Sequence, residues 1–249
     1  MQAFLLSTLA LCLFVGGGIG AIVMIRAWMH GEVQPAGSGR GDWESALAGY
    51  KNLRDKGVLS DEEKLDLFAC VSESVTVPVL ACSTSADTAR SVELTNRAAA
   101  TGVQGILATT PAYSRPSQQG IAAHFGAIAE STHLPVMLYD IPARTGRKIA
   151  AATTIAVAQA HRNVVALKDA SGDLPSAAHV RYTLGKEFSL YSGDDSLVLP
   201  FLSLGGVGVV SVASHWAGLE FAAMIRAYEA GDHALALAEQ IRQHAGILH

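Results

Sequence analysis

Six apolar segments separated by longer amphipathic ones occupy the chain from residue 75 onward, and this alternation limits the possible folds most strongly. The apolar segments are typical of strands buried on both faces, and the intervening segments have helical spacing. The predicted strands are 75–81, 103–109, 134–140, 163–169, 188–193 and 207–213. The predicted helices are 87–100, 117–131, 150–161, 173–185, 195–204, 216–229 and 232–245. The pattern predicts an α/β fold with a parallel sheet, either doubly wound or most of a (β/α)8 barrel.

Composition and local motifs exclude several classes of function. Half of the 249 residues are apolar and the net charge is −4, which excludes a disordered chain and argues against a protein that mainly binds nucleic acid. No GxGxxG follows the first predicted strand and no P-loop motif occurs. The three cysteines are far apart and the nine histidines lack metal-ligand spacing, so we expect no metal centre and no disulfide framework.

The first 25 residues contain no charged side chain. As a helix, residues 3–25 would be about 34 Å long, which is enough to cross a bilayer core of about 30 Å. We therefore predict a transmembrane anchor over residues 1–29, with a cleaved signal peptide as the alternative. Positive charges follow this segment, so the positive-inside rule predicts a cytoplasmic domain tethered to the membrane.

Two short segments connect the predicted anchor to the α/β body. Residues 30–42 are rich in glycine and polar groups, which predicts a flexible linker. Residues 43–60 have apolar groups near helical spacing and resemble the short SHOCT-like helical hairpins found beside membrane anchors. Ser60 and Glu63 form a capping-box pattern that predicts the start of a further helix. The body is then predicted to span residues 61–249.

Polar side chains collect at one end of the predicted strands. Most strands end in residues able to do chemistry, namely Thr109, Thr110, Tyr139, Lys168, Asp194, Asp195 and Ser211. In parallel α/β folds, the carboxyl ends of the strands face the active site. The sequence therefore predicts a site at this end of the sheet.

Lys168 is the outlier among the six lysines because it lies within an apolar strand, whereas the other five lie in turns or polar stretches. Burial disfavours the charged ammonium, and a neutral amine is a nucleophile toward carbonyl groups. Lys168 is therefore a candidate for Schiff-base formation. The alternative is a structural lysine that pairs with Asp169 or another acid.

Four further residues near the same end are candidates on chemical grounds. Tyr139 suits a proton relay, or it is a core tyrosine with one satisfied hydroxyl. Arg144 follows in a loop and suits a substrate carboxylate, or it pairs with Asp140 or lies on the surface. Tyr113 lies in another loop at this end. Gly193 allows the backbone to approach a ligand closely, or it makes a turn.

Four separated segments together resemble the dihydrodipicolinate synthase family, in matching order and spacing. They read TTPAYSRPSQQG, LPVMLYDIPARTG, VVALKDASGDL and YSGDDSLVLPFLSLGGVGVVSV. The resemblance covers about residues 61–243 and implies a class I aldolase-type (β/α)8 TIM barrel. No strand is evident before residue 60, so we expect an incomplete barrel of six of the eight β–α units, without the first two strands.

The resemblance implies a reaction as well as a fold. Lys168 would form a Schiff base with pyruvate, and Tyr139 would be the central proton relay. Tyr113 would reach across a tight dimer interface into the partner's relay, which implies a homo-oligomer. Condensation of pyruvate with aspartate semialdehyde would feed diaminopimelate and lysine synthesis, with no metal or organic cofactor.

The resemblance also implies which residues bind the substrates. Arg144, in the Arg-Thr-Gly segment, would hold the carboxylate of aspartate semialdehyde, whereas Gly193 and Val210 would line the pyruvate pocket. The arginine favours the synthase over an N-acetylneuraminate-lyase-like aldolase, which is kept as an alternative.

The sequence departs from the family pattern in three places. It contains no Thr-Thr-Gly-Glu motif, whose threonines in the family hold the pyruvate carboxylate and complete the relay. Ala112 stands where a second tyrosine is usual, and Cys82–Ser85 replace the usual glycines. A second alternative is therefore a catalytically inactive, membrane-anchored homologue that serves as a scaffold.

Overall fold

The computed structural model describes residues 9–15, 18–25 and 59–247, with side chains over 59–243 apart from residue 216. Eight strands occur in these ranges. They are β1 Leu9–Val15, β2 Gly18–Ile25, β3 Val79–Cys82, β4 Gly105–Thr109, β5 Val136–Asp140, β6 Val164–Asp169, β7 Ser189–Ser192 and β8 Gly208–Ser211. The last six agree with the six predicted strands within a few residues at each end, so that prediction is confirmed.

The eight strands close into a barrel in chain order. Strands β3 to β8 pair in parallel, and β1 closes the ring by pairing in parallel with β8. Strand β2 is antiparallel to both of its neighbours, β1 and β3. The barrel therefore has the parallel α/β architecture that the sequence predicts, with an antiparallel hairpin at its first two positions.

Helices connect and follow the parallel strands. Their bounds are α1 Asp61–Ser74, α2 Thr88–Ala99, α3 Gln118–Glu130, α4 Pro142–Thr145, α5 Ala151–Ala160, α6 Leu174–Leu184, α7 Val198–Ser203, α8 Ser214–Glu229 and α9 His233–Ile247. The predicted capping box is confirmed at α1, where Ser60 accepts from the Glu63 amide and Glu63 accepts from the Ser60 amide. Asp87 and Ser117 cap α2 and α3 in the same side-chain manner.

The predicted transmembrane helix over residues 3–25 is wrong where the structure describes that segment. Residues 9–15 and 18–25 are strands β1 and β2. A continuous apolar run does not by itself distinguish a helix from a buried strand, and this one is interrupted by three glycines at 16–18 and rich in β-branched residues. Pairing within the barrel bonds the backbone of both strands without a helix.

Two further expectations depend on that helix and change with it. None of the helices in the described part of the chain is long and apolar enough to cross a bilayer, so the predicted membrane tether loses its basis. The six expected β–α units are present from β3 to β8, but the first two strand positions are not empty, because the antiparallel hairpin of β1 and β2 fills them. The predicted linker at 30–42 and all but the last two residues of the predicted hairpin at 43–60 lie outside the described residues.

Alternating residues of strands β3 to β8 face two different sides of the sheet. One face packs against the helices. Its strand residues include Ile106, Ala108 and Leu138, which share one hydrophobic core with the helix residues Phe68 and Phe125. The other face fills the barrel interior, which is formed by Leu80, Cys82, Leu107, Met137, Tyr139, Ala166, Tyr191 and Val210. Because side chains alternate along a strand, every second residue near the carboxyl ends points into the barrel.

Candidate active site

Lys168 and Tyr139 form the centre of the site. They are register partners on the neighbouring strands β6 and β5, and both are buried. The Lys168 Nζ atom lies 4.0 Å from the centroid of the Tyr139 ring. The structure therefore brings the two principal candidates together inside the barrel, at the carboxyl ends of their strands.

The wall beside Lys168 is formed by β7 and β8. Tyr191 is the register partner of Lys168 on β7 and belongs to the interior core. Val210, predicted to line the pyruvate pocket, is buried in the same core on β8. Both residues therefore border the interior into which Lys168 projects.

Gly193 allows the end of β7 to approach the end of β6. Its amide donates to the Asp169 carbonyl at 2.7 Å, and a Cβ atom placed on it would lie 2.7 Å from the Ala170 Cβ. Any larger residue would push the two loops apart. The structure shows that Gly193 permits a close approach to the neighbouring loop, and its predicted contact with a ligand stays a prediction.

Acidic and thiol groups also lie close enough to Lys168 to interact with its charge. Burial raises the pKa of Asp195, and a hydrogen bond with Ser211 and the charge of Lys168 oppose that rise. Burial likewise raises the pKa of the Cys82 thiol, which stays protonated at neutral pH. The sequence marks Asp195 only as a polar strand end, and its interaction with Lys168 depends on the pairing of β7 with β6 and β8.

Arg144 lies in the short helix α4, above the end of β5, and its side chain is exposed. Gly146 ends this helix in the left-handed region, at φ 73°, which a glycine adopts without strain. The Thr145 hydroxyl donates to the Ile141 and Arg147 carbonyls, at 3.1 and 3.0 Å. The loop therefore holds its shape while the guanidinium remains open to solvent.

Two acids and one lysine attach this loop to the barrel. Asp140 accepts from the Ile149 amide at 3.1 Å, and Lys148 Nζ lies 3.9 Å from Asp140 and 3.3 Å from Asp173. Burial raises the pKa of Asp140 to about 6, with a further rise from the nearby Asp169. The alternative of an Arg144–Asp140 pair is not seen among the described residues, because Lys148 takes that place.

Tyr113 lies on the surface. Its side chain is 97% exposed, and its backbone adopts φ 71°, which is uncommon for a residue with a side chain. Within one chain, the structure does not bring it to the buried Lys168–Tyr139 pair.

A group of hydroxyls to which the sequence assigns no specific role lies near the ends of β3 and β4. The Thr84 and Thr109 Oγ1 atoms are 2.7 Å apart, and the buried Thr110 Oγ1 has no hydrogen-bond partner among the described residues. The sequence marks Thr109 and Thr110 only as polar strand ends, and it does not mark Thr84 as a site residue. The available signal was spacing, since Thr84 lies two residues after the inward-facing Cys82.

Comparison with known proteins identifies the family. The profile of the Dihydrodipicolinate synthetase family matches residues 55–249. The chain belongs to this family. Its similarity to the 4-hydroxy-tetrahydrodipicolinate synthase of Moorella thermoacetica is 47% identity over 176 residues, which is 70% of this chain and 60% of that relative. The chain thus spans about 60% of the length of the curated relatives it matches.

Solved structures of family members are similar in fold. The dihydrodipicolinate synthase of Cyanidioschyzon merolae, determined with lysine bound, has a TM-score of 0.73 and 43% identity over 77% of this chain and 66% of that one. The chloride-inhibited enzyme of Acinetobacter baumannii, complexed with pyruvate, has a TM-score of 0.70 and 30% identity over 76% of this chain and 65% of that one. These similarities confirm the family resemblance that the motifs indicate.

Proposed function

We propose that this chain is a pyruvate-dependent lyase of the 4-hydroxy-tetrahydrodipicolinate synthase type. The observation that carries the proposal is the buried Lys168 amine over the Tyr139 ring at the carboxyl end of the barrel. The relatives' names and the pyruvate complex of the Acinetobacter baumannii structure support the choice of reaction and of the first substrate.

The first half of the reaction uses the amine as a nucleophile. The neutral Lys168 Nζ attacks C2 of pyruvate, the tetrahedral adduct loses water, and an iminium forms. The iminium withdraws electrons, so a methyl proton is lost and an enamine results. Tyr139, adjacent to Nζ, is the group placed to carry protons to and from these intermediates.

The second half forms the carbon–carbon bond. The enamine carbon attacks the aldehyde of aspartate semialdehyde, and the aldehyde oxygen takes up a proton. The amino group of the new chain then attacks the imine carbon, which closes the ring and releases Lys168 by transimination. The product enters diaminopimelate and lysine synthesis.

Arg144 is proposed to bind the carboxylate of the aldehyde substrate. Its guanidinium is exposed in a loop above the strand that carries Tyr139, and Lys148 attaches this loop to Asp140 and Asp173. An exposed guanidinium at a held position suits a soluble acid that arrives second, because two charge-assisted hydrogen bonds orient the aldehyde end.

Tyr113 is proposed to act between subunits. A tyrosine side chain that is 97% exposed next to the barrel mouth is available to a second copy of the chain. We expect a homodimer in solution, which sedimentation measurements test. A monomer in which Tyr113→Phe has no effect on turnover would contradict this part of the proposal.

Turnover with aspartate semialdehyde and pyruvate tests the proposed reaction. We expect product formation by the wild-type chain and none by Lys168→Ala. Turnover of pyruvate with a sugar aldehyde but not with aspartate semialdehyde would instead assign a sugar-acid lyase. A folded chain that neither binds nor converts pyruvate would assign a non-catalytic role.

A further inference from the structure

Two threonine hydroxyls face each other inside the barrel, close to the Lys168–Tyr139 pair. The Thr84 and Thr109 Oγ1 atoms lie 2.7 Å apart, and the Thr109 amide donates to Thr84 Oγ1 at 3.3 Å. Thr109 is buried and Thr84 is partly buried. The two hydroxyls therefore form one hydrogen-bonded unit that joins the end of β4 to the loop after β3.

The bonds of this unit allow an arrangement in which Thr109 donates outward. The Thr84 oxygen accepts the amide hydrogen of Thr109, and either hydroxyl of the pair can donate to the other. When Thr84 donates to Thr109 Oγ1, the hydroxyl hydrogen of Thr109 points to a third atom. In that arrangement the pair presents one donor to the barrel interior.

The register places this donor in line with the reactive amine. Thr109 pairs with Tyr139, and Tyr139 pairs with Lys168, so the three residues occupy one level on three adjacent strands. Register partners share a face of the sheet, so Thr109 faces the interior as Tyr139 does. The neighbouring residues agree, because Leu107 and Tyr139 lie in the interior core and Ala108 lies in the outer one.

The position of Nζ sets the distance that a bound acid has to span. Nζ lies 4.0 Å from the centroid of the Tyr139 ring, and Tyr139 is on β5, the strand between β6 and β4. The next strand, β4, is about 4.8 Å further along the sheet. A 2-oxo acid attached to Nζ has its carboxylate on the atom next to the imine carbon, so a carboxylate directed toward β4 approaches Thr109.

We propose that Thr109 donates a hydrogen bond to the carboxylate of the 2-oxo acid held on Lys168, and that Thr84 orients Thr109 for this contact. This inference rests on the proposed function. It makes Thr109 a substrate-binding residue and Thr84 a positioning residue. A hydroxyl donor to a carboxylate is a charge-assisted bond, which is stronger than a bond between neutral groups.

A second pair of hydroxyls, which also involves the loop after β3, offers a matched control. Ser83 Oγ and Thr95 Oγ1 are 2.6 Å apart, and both side chains are fully buried. This pair joins the loop after β3 to helix α2, on the outer face of the barrel. It has the same chemistry and a similar length, but it cannot reach an acid bound at Lys168.

The test measures how much pyruvate is needed to half-saturate borohydride trapping on Lys168. We expect Thr109→Val to raise that concentration about tenfold or more, since a hydrogen bond to a charged group is lost. Thr84→Val raises it less, about threefold, because the neutral bond that orients the donor is worth less. Thr109→Ser restores the wild-type value, and Thr95→Val leaves it within about twofold while lowering the thermal midpoint.

A neutral probe separates carboxylate recognition from a general disturbance of the amine. Ethyl pyruvate has the same ketone but no carboxylate, so Thr109→Val is expected to leave its half-saturating concentration unchanged. Equal losses for pyruvate and its ester, or equal behaviour of Thr109→Val and Thr95→Val, would overturn the inference. If Thr109→Val does not fold, Thr84→Val is the deciding variant. A rise of about threefold for pyruvate but not for its ester supports the inference, and no rise overturns it.

The wild-type chain distinguishes this inference from the proposed function. Trapping of pyruvate by the wild type, with no difference among the threonine variants, leaves the function standing and overturns the role of Thr84 and Thr109. Absence of trapping in a folded wild type overturns both.

Discussion

Two pairs of residues one step apart on strands β5 and β6 have opposite roles. Tyr139 and Lys168 are register partners that face the barrel interior, and Asp140 and Asp169 are the next partners along the same strands. Asp140 instead bonds the Ile149 amide and contacts Lys148, and Asp169 accepts from the Ser171 amide at 2.7 Å. A single step along a strand therefore separates the proposed reactive groups from groups that hold the loops, because side chains alternate between faces.

We call Tyr139 and Lys168, which face the barrel interior, the inner pair, and Asp140 and Asp169 the outer pair. The largest effect is expected from the inner pair. Tyr139→Phe removes only the phenol oxygen, so the ring beneath Nζ remains while the proposed proton carrier is lost. We expect kcat to fall about 10²- to 10⁴-fold, as is usual when a general acid–base group is removed. Steady-state kinetics with both substrates measure this. A kcat within a few fold of wild type would break the distinction between the inner and outer pairs.

Arg144→Ala tests the part of the site that the outer pair supports. We expect kcat/KM for aspartate semialdehyde to fall about 10²-fold, since two charge-assisted hydrogen bonds are lost. The concentration of pyruvate that half-saturates trapping stays near the wild-type value, because Arg144 does not face the interior. If Arg144→Ala weakens the use of aspartate semialdehyde and the trapping of pyruvate equally, Arg144 does not specifically bind the aldehyde substrate.

Asp140→Asn tests the structural role of the outer pair through pH. Burial raises the Asp140 pKa from an ordinary value of 3.8 to about 6, among Lys148, Asp169 and Asp173. Between these values, the folded chain keeps a proton that the unfolded chain has lost. The contribution of Asp140 to stability therefore falls as the pH rises from about 4 to about 6, by at most about 3 kcal/mol.

The measurement compares unfolding free energies of Asp140→Asn and wild type across this range. Asparagine keeps an acceptor for the Ile149 amide and does not ionise, so the difference in favour of the variant should grow as the pH rises through 4–6. We expect kcat to change only a few fold. Parallel curves for the two proteins would show that Asp140 does not titrate in this window.

The smallest effect is expected from Lys148→Met. Lys148 is about one-third exposed, and partly exposed ion pairs contribute about 1 kcal/mol or less. We expect KM for aspartate semialdehyde to rise about two- to fivefold through a less fixed Arg144 loop. The same variant combined with Arg144→Ala should have no additional effect on KM. If Lys148→Met raises KM by the same factor in the Arg144→Ala background, Lys148 does not act by positioning Arg144.

The periodic part of the chain could be predicted because local pattern and tertiary role agree there. Strands β3 to β8 are short apolar runs between capped amphipathic helices, and Lys168 stands out as a lysine in such a run. The site's location followed from the rule that parallel strands meet at their carboxyl ends. These inferences need only the order of elements.

The remaining features depend on pairings that no local pattern contains. The strands β1 and β2 are apolar throughout, so their period carries no information, and only closure against β8 and β3 decides between helix and strand. Thr84 and Thr109 are 25 residues apart, and their contact depends on the register of β3 and β4. The raised pKa of Asp140 likewise depends on burial by a loop that the sequence does not place.

The central claim is that the Lys168 amine forms a covalent imine with pyruvate. Incubation with labelled pyruvate and borohydride, followed by peptide mapping, tests it most directly. We expect one lactyl-type adduct per chain on the Lys168 peptide, absent from Lys168→Ala and from samples that lack pyruvate. A folded chain with no adduct, or an adduct spread over the surface lysines and unchanged in Lys168→Ala, would contradict the account.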